Sequence, residues 1–207
     1  MIEVLVTILA LMILMLIALS FIEPSSAGIK AMRISCVNNL KEMDLAARIW
    51  EGNHGDQYPM TVSTTNGGAM EFAMTGDATI VFQAMSNELS TPKILLCPAD
   101  TDHSLATNFS SGFKKQNISY FVNLSASEQN PQMLLFGDDN FENDGIPVKS
   151  GLLPLLSTNA TITWSSTRHI HTGNIAITDG SVQQLTVAGL QQALQNSEVV
   201  NNRIAIP

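Results

Sequence analysis

VLVTILALMILMLIALSFI, residues Val4 to Ile22, is the stretch on which the architecture turns. It runs for nineteen residues, and only Thr7 and Ser20 interrupt the apolar side chains. At about 1.5 Å per residue a helix of this length covers roughly 28 Å, close to the hydrocarbon thickness of a bilayer, so the run predicts a transmembrane helix. A cleavable secretory signal fits less well, because such signals carry a basic segment, a shorter apolar core and a small-residue cleavage site. Here Glu3 precedes the run and Ile22-Glu23-Pro24 follows it. A buried helix of a soluble domain is the third alternative. Lys30, Arg33, Lys41 and Arg48 follow the span and no Lys or Arg precedes it. If the first residues are the true start, the positive-inside rule places the rest of the chain in the cytoplasm.

The composition supports a membrane appendage on one modest domain. Of 207 residues 45% are apolar, yet only 14% are charged, well under the usual quarter, so the apolar excess is local. Ten Lys and Arg stand against 18 Asp and Glu, a net charge of -8, with only two Trp and two Tyr. No cationic cluster is available to displace phosphate counterions, which excludes a sequence-independent nucleic-acid binder.

Beyond the apolar run, Ile29 to Trp50 keeps a helical period, with Pro24 and Gly28 marking a break or kink before it. At about 100° per residue Cys36, Leu40, Met43, Ala47 and Trp50 form one stripe, while Ile34, Leu45 and Ile49 form a second on nearly the opposite side. Arg33, Lys41, Asp44, Arg48 and Glu51 occupy a polar strip between them. Two apolar faces call for two partners: the first stripe, with Leu40, Met43 and Trp50, packs a head domain, and the second packs a neighbouring subunit.

Ile2-Glu3-Val4-Leu5-Val6, Arg33-Ile-Ser-Cys-Val-Asn-Asn-Leu-Lys41 and Asn53-His-Gly-Asp-Gln-Tyr-Pro59 resemble the N-terminal helix of type IV pilin-like proteins, including the pseudopilins of type II secretion. His169, nine residues and then Asp179-Gly180 are similar to the C-terminal His-X9-Asp-Gly motif of a large prepilin-like group. Cys97-Pro-Ala-Asp100, Asn117-Ile-Ser-Tyr-Phe121 and Gly137-Asp138 resemble the middle of that group. The resemblance implies that Glu3 sets register, pairing with the N-terminal amine of a neighbouring subunit in the membrane. A carboxylate at a bilayer edge is costly unless paired; an interfacial carboxylate beside its own amino terminus is the alternative. The family carries a short basic leader ending in Gly, whereas this sequence opens Met1-Ile2-Glu3. Either the start lies upstream, which is preferred, or the chain escapes prepilin peptidase and N-methylation.

The resulting expectation is an α+β fold: a long N-terminal membrane-plus-stalk helix carrying a small antiparallel sheet as a pilin-like head. Its parts are a transmembrane segment over 1–28, a soluble stalk over 29–55 and a head over 56–207. Within the head, Met60 to Gly76 reads as irregular surface and Ala78 to Leu89 as a helix. Strands are expected at Ile94–Cys97, Ile118–Leu124, Met133–Phe136 and Thr161–Trp164. Asn174–Thr178 and Ser181–Leu185 flank Asp179-Gly180 as a two-residue hairpin, and a helix over Val187–Asn196 closes the chain.

Chemistry is sparse. His169-x-His171 with Asp179 or Ser181 offers a metal or hydrolytic grouping, but a zinc site needs three or four ligands and the sequence shows no second Cys/His cluster. The preferred reading is structural: Asp179-Gly180 makes the turn and His169 hydrogen-bonds a nearby loop. Asp138, Asn140 and Asp144 loosely echo a calcium loop, yet the twelfth position holds Gly151 rather than a bidentate acid, which favours a solvated loop. Cys36 and Cys97 form either a disulfide tying head to stalk or two buried thiols.

The function expected is that of a non-enzymatic structural subunit of a type IV pilus-like or type II secretion pseudopilus filament, without cofactor. It would be anchored in the inner membrane before assembly, with its head in the periplasm, and extracellular once assembled. Partners would be copies of itself, other pilin-like subunits, the membrane and the assembly or secretion machinery. The alternative is a minor pilin or an anchored periplasmic module that binds an envelope component or exported substrate.

Overall fold

The computed structural model describes residues 2–20, 26–110, 112–156, 161–199 and 201–207, with backbone alone at 18–20, 26, 155 and 156. The N-terminal sequence forms two helices, α1 (Ile2–Ser20) and α2 (Ser26–Gly52). Phe21, Ile22 and the expected break at Pro24 lie outside the described residues, while Gly28 falls inside α2. Among the described residues no helix is long and apolar enough to cross a membrane. The described side chains of α1, Ile2 to Ile17, rise roughly 24 Å against a hydrocarbon core of about 30 Å. This overturns the transmembrane segment, the single-pass inner-membrane placement and the long membrane-plus-stalk helix.

The chain divides into two compact units, Met1–Ala31 and Met32–Pro207. The division falls inside α2, so residues 32–52 belong to the larger unit instead of forming a projecting stalk. Cys36, Leu40, Met43, Ala47 and Trp50 are all buried there, as their shared stripe predicted. Asp44 and Glu51, placed on the polar strip, are buried too.

Short turns follow α2. Pro59–Thr61 and Thr64–Asn66 are 3-10 helices, and α3 (Met70–Ala73) is a single turn. The predicted helix at 78–89 is divided into α4 (Ala78–Ala84) and α5 (Ser86–Leu89). Asp77 caps α4 by accepting from the Thr79 amide at 3.0 Å. Ile94–Cys97 is not a strand. Pro92 at the first position starts a 3-10 helix over Pro92–Leu95, and the Thr91 side chain caps it.

The strands are β1 (Tyr120–Asn123), β2 (Leu134–Asp138), β3 (Phe141–Asn143), β4 (Ile146–Pro147), β5 (Gly151–Leu156), β6 (Ile162–Trp164), β7 (Thr172–Ile177), β8 (Val182–Thr186) and, after α6 (Val187–Asn196), β9 (Asn201–Ile206). They build a six-stranded sheet in the order β5-β9-β1-β2-β7-β8 and a three-stranded sheet in the order β4-β3-β6. All their pairings are antiparallel. Two sheets therefore replace the single small sheet expected.

Alternation along the strands divides the interior in two. Tyr120, Val122, Phe136, Ala176 and Ala205 join Leu40, Met43 and Trp50 in one cluster. Phe121, Leu134, Ile175, Ile177, Ile204 and Ile206 join Phe141 and Trp164 of the small sheet and Leu190 and Leu194 of α6 in the other. With both faces covered, the central strands read as nearly continuous apolar runs instead of clean alternations. Gly173 is required by this packing, because a Cβ there would lie 2.4 Å from the Trp164 ring.

Candidate functional site

Three features of the structure bear on function: exposed apolar helix surface, the hairpin that carries the His-X9-Asp-Gly spacing, and a buried sulfur-imidazole-carboxylate cluster. In α1, Ile2 is 80% exposed, and Val4, Leu5, Val6, Leu9 and Leu11 are exposed as well. Glu3 stands in the first turn of this helix. In α2 the second stripe is open: Ile34 is 62%, Leu45 57% and Ile49 49% exposed. The two stripes of α2 thus differ in environment as their spacing implied, one inside the core and one outside it.

The hairpin differs from the two-residue turn expected. Ala176 pairs with Val182, and the Ile177 amide bonds the Ser181 carbonyl at 2.9 Å, leaving Thr178, Asp179 and Gly180 as a three-residue loop. The Gly180 amide closes the turn on the Ile177 carbonyl at 2.8 Å, and Gly180 takes φ +92°. That is the left-handed residue which ends a type I turn in three-residue hairpins. Asp179 Oδ1 accepts from the Ser181 amide at 2.8 Å, and Arg48 of α2 donates to the Thr178 carbonyl. The loop is therefore fixed to α2.

His169 and His171 do not share a strand face. Ile170 and His171 have φ of +53° and +55°, so the chain turns before β7. His171 is exposed, with Nδ1 3.3 Å from the Trp164 carbonyl, while His169 is buried. The His169 carbonyl accepts from Arg33 at 2.8 Å and from the Thr172 hydroxyl at 2.6 Å.

The His169 ring enters a constellation that sequence spacing concealed. Cys36 and Cys97 form a disulfide across 61 residues. His169 Nε2 lies 3.4 Å from Cys97 Sγ and also 3.4 Å from Asp138 Oδ2. The ligating atoms of Cys36, Cys97 and His169 all fall within 4.8 Å of one another. Four elements bring these groups together. α2 supplies Cys36, and the turn after Pro92–Leu95 supplies Cys97, whose amide is held by Ser119 Oγ at 3.0 Å. β2 ends in Asp138, and the turn before β7 carries His169.

Electrostatics in this cluster are dominated by burial. Desolvation pushes the Asp138 carboxyl up to about 7, against the opposing Asn174 hydrogen bonds and the Arg168 charge. Desolvation, then Arg33 and Arg168, pull the His169 imidazole down to about 4. Asp138 Oδ2 accepts from the Asn174 backbone at 2.7 Å and its side chain at 2.8 Å. Asp138 Oδ1 is buried and has no hydrogen-bond donor among the described residues.

Sequence reasoning missed the neighbouring ion cluster. Buried Arg168 bonds Asp100 at 2.8 Å and also pairs with Asp139. Burial pushes the Asp100 carboxyl up, but the His103 hydrogen bond and the Arg168 charge outweigh it and hold the group well below the usual carboxylate range. The Asp138-Asp139-Asn140 run, read as a solvated loop, is buried. Its signal was the apolar strand Leu134 to Phe136, which continues through Gly137 into Asp138. The calcium candidates are dispersed: Asp138 ends β2, Asn140 is buried before β3, and Asp144 is an exposed turn residue at φ +51°. No protein-family model matches the chain, and neither does any curated protein or any solved structure.

Proposed function

We propose that this chain is a structural subunit of a filament of the type IV pilus or type II secretion pseudopilus kind, held together through its apolar helices. The observation that carries the reading is the exposed apolar side of α1, from Ile2 through Leu11. Each fully buried aliphatic side chain contributes about 1.5 to 3 kcal/mol, so packing this helix against the same helix of other copies supplies a large driving force. Such surface on one chain marks an assembly site. Glu3 gives the packing a register, because a carboxylate among apolar side chains is costly unless a cation pairs with it, and a cation of the neighbouring copy supplies that pair. Ile34, Leu45 and Ile49 add a second contact on α2, while the disulfide holds that helix to the Cys97 turn and the Arg48 bond to the Thr178 carbonyl holds it to the β7–β8 hairpin.

The test compares the full chain with Leu45→Glu/Ile49→Glu and with Leu5→Glu/Leu9→Glu in sedimentation and negative-stain microscopy. The wild type is expected to form extended polymers, and both variants to remain folded and unpolymerised. Polymers that survive both pairs of substitutions would refute the proposal. A wild type that stays monomeric at every concentration would refute it as well.

A further inference from the structure

We propose that Cys36, Cys97, His169 and Asp138 form a zinc site in the reduced chain, at the position that the disulfide closes in the oxidised one. A tetrahedral zinc ion with bonds of about 2.0 to 2.3 Å holds its ligand atoms roughly 3.5 Å apart. His169 Nε2 already stands at 3.4 Å from Cys97 Sγ, and the Asp138 carboxylate adjoins the ring, its Asn174-bonded Oδ2 3.4 Å from Nε2. Cys36, Cys97 and His169 meet within 4.8 Å. Once the sulfur-sulfur bond is absent, Cys36 must turn away from Cys97 and Asp138 must present Oδ1 to the ion to complete the tetrahedron.

A second observation is independent of the sulfurs. Among the described residues no donor reaches buried Asp138 Oδ1, a costly arrangement for a carboxylate unless a cation approaches it. Asn174 fixes the other oxygen through two hydrogen bonds, as outer groups orient carboxylates at metal centres. Two thiolates, one carboxylate and a neutral imidazole around Zn²⁺ leave a single negative charge, and Arg168 and Arg33 lie beside the site.

The chemistry balances without a resident oxidant. In the reduced chain Zn²⁺ displaces one proton from each thiol, and these protons pass to solvent while Nε2 and the carboxylate donate lone pairs. Formation of the disulfide instead moves two electrons to an external disulfide, which leaves as a dithiol, and releases the ion. Both sulfurs are buried, so the ion enters as the reduced chain folds.

To test this, the full chain is refolded with a phosphine reductant and either zinc or cobalt, and free metal is removed. Metal content is then measured by elemental mass spectrometry and cobalt geometry by absorption. One equivalent of metal is expected in the reduced chain, with thiolate charge-transfer and tetrahedral cobalt bands, and none in the oxidised chain. His169→Ala and Asp138→Asn should each weaken cobalt binding by at least the roughly 10- to 100-fold that losing an outer-shell partner costs, with Trp fluorescence reporting whether each variant is folded. A reduced, folded wild type that retains no metal overturns the proposal. So does an unchanged cobalt spectrum in both variants, or equal retention by the chain in denaturant, since either result assigns the ion to thiols alone.

Discussion

Replacing both cysteines, Cys36→Ala/Cys97→Ala, tests how much of the fold depends on the link between α2 and the Cys97 turn. The bridge spans 61 residues. Loop-closure entropy for a ring of that size amounts to about 14 cal/mol/K, or about 4 kcal/mol at 25 °C. For a domain whose stability is typically about 5 to 15 kcal/mol, that is a large share. With a urea slope of about 2 kcal/mol/M, the unfolding midpoint should fall by roughly 2 M. Trp50 and Trp164 are both buried, so fluorescence follows the core directly. Because the bridge acts chiefly on the unfolded chain, the slope should steepen as that chain expands, whereas a mere packing defect would leave it unchanged. The measurement is made with a chelator present, so that metal does not enter. A loss under about 1 kcal/mol with an unchanged slope would refute the reasoning.

Gly180→Ala should cost about 1 to 2 kcal/mol in urea unfolding, since Gly180 sits at φ +92° and a Cβ would approach Arg48 Nη2 to 3.2 Å. Arg168→Met should cost about 3 to 5 kcal/mol, because Asp100 and Asp139 lose the cation that pairs them in the interior; the same denaturant curve measures it. The Asp138 and His169 pair shapes stability against pH in opposite directions. His169, lowered from 6.5 to about 4, contributes stability that is complete above pH 6.5 and lost as pH falls toward 4. Asp138, raised from 3.8 to about 7, contributes stability that is complete below pH 3.8 and lost as pH rises toward 7. The two nearly offset in the wild type, so His169→Asn should turn a flat profile between pH 4 and 6.5 into a falling one, by up to about 3 kcal/mol. Unfolding curves at a series of pH values check this, and equally flat profiles would contradict it.

Much of the local structure was legible in the sequence. The stripe Cys36, Leu40, Met43, Ala47 and Trp50 identified the buried face of α2, because a helix places every third or fourth residue on one side. Val187–Asn196 is α6, with Thr186 capping it through the Gly189 amide at 3.2 Å, although it does not close the domain, because β9 follows it. Asp179-Gly180 located the hairpin, although its third loop residue escaped notice because the register of β7 against β8 decides it. β3, β4, β5 and β9 were not seen. The apolar residues of β5 and β9 lie in short runs whose strand character depends on neighbours far away in sequence, since β9 sits between β5 and β1.

What the sequence determined by itself was the set of local dihedral and burial preferences: helix periods, caps, turn residues and the alternation of apolar side chains. These act over a few residues, and each is encoded where it operates. The tertiary structure decided everything that rests on closing long loops. It placed an acidic run in the interior, drew Arg168 between Asp100 and Asp139, and set His169 between the Cys97 sulfur and the Asp138 carboxylate. Such meetings depend on the summed packing of two sheets and α2 around two apolar clusters, and no local pattern carries that sum.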